Sequence, residues 1–462
     1  MDAGQKDISG AETIFALSTP PGRGGVAVVR LSGPRAGGAL ELLSGTGQPA
    51  ARRASLRRLS DPATGAWLDE ALVLFFAAPK SFTGEDVVEL HLHGGRAVVE
   101  AVLTALGQID GLRPAEPGAF TRRAFENGRL DLTEVEGLAD LIEAETAAQR
   151  EQALRQMSGS LSARAEGWRS ALIRAMAYIE AEIDFGEEEG DVGEGLSLRV
   201  LPLIAEAAAD MEEVLSAGYR GELVREGLEI AIVGPPNAGK SSLLNWLAGR
   251  DAAIVSEEAG TTRDVIEVRL DMEGVPVTLC DTAGLREAAS AVEAEGIRRA
   301  LARAAEADFR IVIASVGRDL QILGSFEDAA PDDVCVLNKV DLLDSAAERA
   351  PGLLGDKAVD GALPVSVSTG AGLRALEELI QGRVRTLLEG WESPAITRQR
   401  HRQEIGAAAE AIRRAEAQLG AGDIVLGAEE MRQTLRALGR LTGRVDVEEL
   451  LDVIFRDFCI GK

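Results

Sequence analysis

The sequence predicts a multidomain α/β protein in which a helical domain is interrupted by an inserted α/β domain. Three observations predict it. Short β-branched runs bounded by Gly, Pro and Ser fill roughly the first 120 residues. Ala/Glu/Leu/Arg-rich stretches with helical periodicity run from Leu132 to about Phe185, from Leu196 to Leu223, and again from Glu392 onward. Between the last two, from about Leu228 to Leu388, strand-like and helix-like segments alternate. A helical domain split by an insertion accounts for this order more simply than two independent helical domains. The implied boundaries are 1–122, 123–224, 225–387 and 388–462.

In the first part, Val26–Leu31 and Ala71–Phe76 read as strands. Val87–His93 alternates with period two, which puts Glu89, His91 and His93 on one strand face, and Gly94-Gly95 ends it. After Pro114-Ala-Glu-Pro117 the texture turns helical, and Thr133 with Glu136 has capping-box spacing. Gly186-Glu-Glu-Glu-Gly190 interrupts it. In the inserted part, Ile230–Val233, Val275–Cys280, Phe309–Ala314 and Val334–Leu337 read as buried strands, and a helix opens at Lys240. Near the end, Asp446 and Glu449 have the spacing to cap a final helix.

Composition narrows the classes. The 462 residues are 46% hydrophobic and 27% charged, a globular balance rather than a disordered one. Lys plus Arg number 49 and Asp plus Glu 75, a formal net charge of −26. That excludes a global electrostatic grip on nucleic acid, so any RNA contact must use local basic patches. The three cysteines, Cys280, Cys335 and Cys459, are too few and too separated for a disulfide framework or a CxxC zinc site, which points to a reducing, cytoplasmic setting. No signal peptide is evident, and the longest apolar run, Ala71–Ala78, is far too short to span a bilayer, so no membrane partner is expected.

Three motifs carry the chemistry. Gly234-Pro-Pro-Asn-Ala-Gly-Lys-Ser241 is a complete phosphate-binding loop between an apolar strand and a helix. Its glycines let backbone amides converge on phosphate oxygens at a helix N-terminus. Lys240 reaches the terminal phosphates, and the Ser241 hydroxyl suits Mg2+. Asp281-Thr282-Ala283-Gly284 follows a strand, where a carboxylate can hold Mg2+ through water and Gly284 lets an amide approach the γ-phosphate. Asn338-Lys339-Val-Asp341 follows another. Asp341 can accept from both the imino and amino hydrogens of guanine, which adenine lacks, so the nucleotide is GTP or GDP. Ser366-Val367-Ser368 is the expected loop supporting the base, and in Gly260-Thr-Thr-Arg-Asp264 Thr262 is the expected switch-loop ligand of Mg2+. Leu285 stands after Gly284, where many GTPases place a water-orienting glutamine, so hydrolysis needs another positioner and another positive charge.

Taken together, these residues resemble the MnmE/TrmE family of tRNA modification GTPases over essentially the whole chain. Thr19-Pro-Pro-Gly-Arg-Gly-Gly25, Arg30-Leu-Ser-Gly33, Phe82-Thr-Gly-Glu-Asp86, His93-Gly-Gly95, Pro117-Gly-Ala-Phe-Thr121, Leu130-Asp-Leu132 and the final Cys459-Ile-Gly-Lys462 resemble its signatures in order. The resemblance implies an N-terminal α/β tetrahydrofolate-binding domain that dimerises, a discontinuous α-helical domain, and an inserted Ras-like P-loop G domain. It implies a homodimer that works with an MnmG/GidA-type flavoprotein, in a heterotetramer or larger complex, on the C5 position of the tRNA wobble uridine. An aminomethyl or carboxymethylaminomethyl group would be installed there with a one-carbon unit from 5-formyl-tetrahydrofolate or a related folate.

The resemblance also assigns roles. GTP hydrolysis is activated by K+-dependent dimerisation of G domains, a cation supplying the charge an arginine finger gives elsewhere. Asn237, Ser256, Glu258 and Thr261 fall on the K+ positions, and Ala238, Gly239 and Ser242 complete the phosphate loop. Glu293 falls on the water-orienting glutamate, with a solvated surface glutamate as the alternative. Arg30, Glu89, Arg129 and Lys462 map to the folate site, Arg129 replacing a common lysine. Glu89 can alternatively be an edge-strand charge. Cys459 is either a small buried residue of a helix face or a thiol in the modification chemistry. Two departures stand out: Val367 replaces a small residue, and Ile311–Val316 lacks an acidic residue usual after that strand.

Weaker signals remain. His91 and His93 read as strand-face histidines rather than metal ligands. Arg398, Arg400, Arg402, Arg413, Arg414, Arg432, Arg436, Arg440 and Arg444 are candidates for RNA phosphate contact or else a solvated face paired with glutamates, as are Arg52, Arg53, Arg57 and Arg58. Competing readings are a ribosome-assembly GTPase switch, which usually carries a basic RNA-binding domain absent here, and a nucleotide-controlled scaffold.

Overall fold

The fold was analysed in a computed structural model, which describes residues 12–185, 196–249, 267–281, 304–317, 321–343, 361–389, 396–445, 451, 454–456 and 458–461. By packing, the chain gathers into two compact units: residues 1–139, 157–169 and 435–462, and residues 140–156 with 170–434.

The first unit is built on a mixed sheet of β1 (Thr13–Leu17), β2 (Gly24–Ser32), β3 (Ser55–Ser60), β4 (Trp67–Phe76), β5 (Val87–Gly94) and β6 (Leu112–Pro114). Among the described residues its order is β3-β4-β5-β2-β1-β6. Alternation decides its faces. Phe15, Val29, Leu31, Val73, Leu90 and Leu92 point into a core shared with α1 (Ala36–Ser44) and α2 (Arg96–Gly107). The opposite face carries two cross-strand rows: Leu56, Leu72, His91 and Val28, and next to it Leu74, Glu89, Arg30 and Ala16.

Helix α3 (Ala119–Glu126) begins at Gly118, whose φ of +67° and approach to the Phe455 carbonyl (2.5 Å from an added Cβ) exclude a side chain. The stretch read as helical from Leu132 to Phe185 is three helices, α4 (Leu132–Glu143), α5 (Ala147–Met157) and α6 (Ser160–Phe185). The expected capping box on Thr133 and Glu136 is corrected to Asp131 and Glu134. Asp131 precedes the first helical residue, its Oδ1 accepts the Glu134 amide at 3.0 Å, and Glu134 Oε2 accepts the Asp131 amide at 2.8 Å. Thr133 is already the second residue of the helix and is fully buried. The chain end packs on α4 through Leu451, Phe455 and Phe458, against Leu132 and Val135. Ile460 then bridges to Pro117, and Ser18 Oγ donates to the Gly461 carbonyl at 2.9 Å.

The second unit centres on β7 (Leu228–Val233), β8 (Glu267–Met272), β9 (Val275–Asp281), β10 (Phe309–Val316), β11 (Ile322–Leu323), β12 (Val334–Asn338) and β13 (Leu363–Pro364). The path is β13-β12-β10-β7-β9-β8, parallel except for β8, with β11 antiparallel to β10. Both faces are covered, so these strands read as continuous apolar runs. The core takes in Leu243, Leu244 and Leu247 of α8 (Lys240–Ala248) and Leu376, Ile380 and Val384 of α9 (Leu373–Leu388). It also takes in Leu223 and Val224 of α7 (Leu196–Glu226) and Ala148 of α5.

The β8–β9 hairpin turns at Glu273-Gly274, both at positive φ (58° and 84°), the geometry that matches strand twist in a two-residue turn. Its tip meets α5: the Ala148 amide donates to the Gly274 carbonyl at 3.3 Å, and Arg269 pairs with Glu145 at 3.2 Å. Helix α10 (Gln399–Gly420) buries Ile405, Ala408, Ile412, Ala415 and Leu419, spaced three and four apart, and packs along α7. Helix α11 (Ile424–Thr442) follows. Among the described residues no helix is long and apolar enough to cross a membrane.

Candidate functional site

The phosphate loop leaves the central strand β7 and ends in α8, as the motif requires. Two close approaches fix its glycines. A Cβ on Gly234 would lie 2.2 Å from the Ile313 carbonyl oxygen, and one on Gly239 (φ +103°) would lie 2.2 Å from Asn338 Nδ2. Asn237 is exposed and itself left-handed, at φ +63°. Lys240 is 5% exposed, and its ammonium donates to the carbonyls of Gly234 at 2.9 Å and Pro235 at 3.0 Å. Ser241 is half-buried in the first turn of α8 and Ser242 is exposed.

The Asn338–Asp341 tetrapeptide is brought onto this loop. Asn338 ends β12 and is 2% exposed. Its Nδ2 donates to the Ala238 carbonyl at 2.8 Å, and its Oδ1 accepts the Val367 amide at 3.2 Å. Lys339 Nζ donates to the Asn237 carbonyl at 2.5 Å. The exposed Asp341 accepts from buried Ser366 Oγ at 2.6 Å, and Ser368 Oγ lies 3.0 Å from the same hydroxyl. One asparagine thus ties the phosphate loop to the Ser366–Ser368 loop, and Val367 sits in that loop without displacing its backbone from Asn338. Strand β9 ends at Asp281. The side chain of Asp281 and residues Ser256, Glu258, Thr261, Thr262, Thr282, Ala283, Gly284 and Glu293 lie outside the described residues.

In the first unit Arg30 and Glu89 are register partners on the outward sheet face. Arg30 places Nε 3.1 Å and one terminal nitrogen 2.9 Å from Glu89 Oε1, so both bonds fall on one oxygen. The guanidinium also lies 5.8 Å from the ring centres of Phe82 and Phe120, a cation–π arrangement. The stem of Arg129 packs within 3.3 Å of an added Cβ on Gly84, which places it beside Phe82-Thr-Gly84. Lys462 and the Asp446–Glu449 cap lie outside the described residues. Cys459 is exposed beside the Ile460–Pro117 bridge, so it is not a buried member of a helix face.

His91, expected as a plain strand-face histidine, has a more particular setting. Its Nε2 is fully covered, has no hydrogen-bond partner and lies 3.6 Å from Glu89 Oε2. The shared strand face was readable, but the orphaned nitrogen was not. His93 instead bonds Asp69 at 2.8 Å.

The arginines proposed for RNA contact face carboxylates in several cases. Arg398 pairs with Asp140, Arg402 with Glu222, Arg414 with Glu430 and Arg444 with Glu166; Arg413 pairs with Glu212. Arg444 lies beyond the end of α11, so it does not extend the Arg432–Arg440 stripe. A separate cleft of about 490 Å³ in the second unit is lined by Asp140, Glu143, Glu145, Arg225 and Arg269, with no phosphate-loop residue.

Comparison with known proteins places both sites in context. Residues 132–459 match the family model of the MnmE helical domain, and residues 13–129 match that of the GTP-binding protein TrmE N-terminus. The chain is 60% identical over 454 residues to a tRNA modification GTPase MnmE of Parvibaculum lavamentivorans, covering 98% of this chain and 100% of that one. It is 52% identical to the Maricaulis maris protein of the same description, covering 97% and 99%, and 51% identical to that of Rhodospirillum rubrum, covering 98% and 99%.

Proposed function

The chain belongs to the MnmE family of tRNA modification GTPases, and from that premise we propose that it is a K+-stimulated GTPase that modifies the tRNA wobble uridine with a folate one-carbon unit and a flavin-dependent partner. The observation that carries the reading is the Asn338 tie, which draws the phosphate-loop lysine and the guanine-reading Asp341 into one site.

The residues present fit a guanine nucleotide. Buried Lys240 is set to exchange its two loop carbonyls for the terminal phosphates, with the α8 N-terminus behind it. The Ser366 hydroxyl holds the Asp341 carboxylate for the imino and amino hydrogens of the base. Mg2+ would be held by Ser241 and Thr262, and K+ by Asn237 with Ser256, Glu258 and Thr261; bound there, they supply positive charge to the leaving phosphates. Glu293 orients the attacking water in place of the missing glutamine.

The Arg30–Glu89 face fits a flat heterocycle bearing paired N–H donors. Both Arg30 bonds fall on Glu89 Oε1 and leave Oε2 facing His91 at 3.6 Å, Phe82 and Phe120 flank the guanidinium, and buried His91 Nε2 is unsatisfied. Arg129 and Lys462 complete the proposed site, and the bound folate supplies the one-carbon unit. The same face is apolar and exposed around it: Leu56 and Trp67 are each 63% exposed, and Val26 58%. A patch of this kind supports a homodimer through the first unit. Cys459 then acts near the folate. The domain partition at 122/123, 224/225 and 387/388 is supported by β7 starting two residues after α7 ends, and by α9 ending at Leu388. The protein acts in the cytoplasm on tRNA with an MnmG/GidA-type flavoprotein.

Replacing Asp341 by Asn tests the nucleotide reading. An amide donor opposite the guanine amino group should weaken GTP binding by at least about 10-fold and favour xanthosine triphosphate, whose second carbonyl accepts. Unchanged preference in a competition titration would remove Asp341 from base recognition. For the cation, Asn237→Ala should keep nucleotide affinity and lose the ratio of K+ to Na+ turnover. For the water, Glu293→Gln should bind GTP normally and lose turnover by about 100-fold.

A further inference from the structure

We propose that His91 is a positioning residue for Glu89, holding the carboxylate in the orientation that receives the donor edge of a pterin-type ligand. This rests on the folate reading of the Arg30–Glu89 face.

The argument begins with lone pairs. An ionised carboxylate offers about four acceptor positions, two on each oxygen. Arg30 spends both of its bonds on Oε1, at 3.1 and 2.9 Å. The acceptor positions of Oε2 are left for other donors, and His91 Nε2 lies 3.6 Å away. That is beyond a hydrogen bond, which for N–H···O closes near about 2.9 Å. The nitrogen is nevertheless covered and unsatisfied, a costly arrangement for a polar atom. A shift of about 0.7 Å in the carboxylate closes it.

The surroundings point the same way. In register, His91 is flanked by Val28 on β2 and Leu72 on β4, both apolar. The charged groups that face it here are Glu89 and, behind it, Arg30. His93, two residues on, has its ring already bound to Asp69 and serves as the contrast. Arg30 from β2 and His91 from β5 then grip opposite oxygens of one carboxylate. A two-donor ligand can take one position on each oxygen once Arg30 releases one of its two.

The test is calorimetric titration of 5-formyl-tetrahydrofolate into the full chain and three variants. His91→Ala should weaken binding about 10-fold, whereas His91→Gln, whose amide nitrogen falls near the place of Nε2, should stay within about 3-fold of the parent. Glu89→Gln should lose binding altogether. Circular dichroism spectra and thermal melts should match the parent in all three, which reports an intact fold. Parent-like affinity in His91→Ala, with Glu89→Gln inactive, would overturn the role of His91 and leave the folate reading standing. Equal losses in His91→Ala and His91→Gln would overturn it too, since packing rather than the nitrogen would then be responsible. No binding by the parent would remove the folate reading and this proposal with it.

Discussion

Asn338 shows what a single side chain can do when both of its amide ends are buried and used. Its nitrogen holds Ala238 and its oxygen holds Val367. Asn338→Ala removes both bonds and leaves a carbonyl and an amide without partners. The expected loss is about 2 kcal/mol of site stability, or about 30-fold in GDP affinity measured with a fluorescent nucleotide. Gly239→Ala should do comparable harm by another route, because its Cβ would collide with the same amide at a left-handed φ. The phosphate loop and the Asn338–Asp341 tetrapeptide were legible in the sequence, whereas Arg30 and Glu89 were named from the family resemblance and their pairing was not. In the loop, the chemistry dictates the residue types at fixed spacing. His91 was not legible as a partner of Glu89, because its role depends on cross-strand register and on Arg30 crowding one oxygen.

The entry to α4 shows why element boundaries are harder to read than elements. Asp131-x-x-Glu134 and Thr133-x-x-Glu136 overlap and both satisfy the capping pattern. Tertiary burial of Thr133 selected the earlier one, and that burial is invisible locally. Asp131→Ala should cost about 1–2 kcal/mol in a denaturant melt, since it strips the Glu134 amide of its acceptor. On the sheet of the second unit, β12 is anchored just before its start by Asp333. Burial pushes that carboxyl up, but bonds from the Arg310 guanidinium and from the amides of Ala330 and Arg310 outweigh it and hold it below its ordinary value of 3.8. A depressed acid contributes stability that is fully present above the unfolded-state value and is lost as pH falls through the folded-state one. Asp333→Asn should therefore flatten the acid limb of a stability-versus-pH curve below the ordinary carboxyl value of 3.8, where the parent falls.

At the scale of the whole molecule, the α/β texture of the insertion was readable, but the sharing of its core was not. Leu223 and Val224, at the end of a long helix, lie in the same cluster as the strands around the phosphate loop. Leu223→Ala should cost about 2–5 kcal/mol, and helix melting by circular dichroism should shift together with loss of bound nucleotide. Separate transitions would mean the helices and the nucleotide fold unfold independently. The β8–β9 hairpin gives this joint a mechanical character. Its tip rests on α5 through Gly274 and Ala148, while its two strands lead in sequence towards Thr262 on one side and into Asp281 on the other. Paired strands resist sliding, because a slip of one residue would reverse every side chain. The hairpin is therefore a beam braced on a helix at its turn, held in register along its length by paired strands.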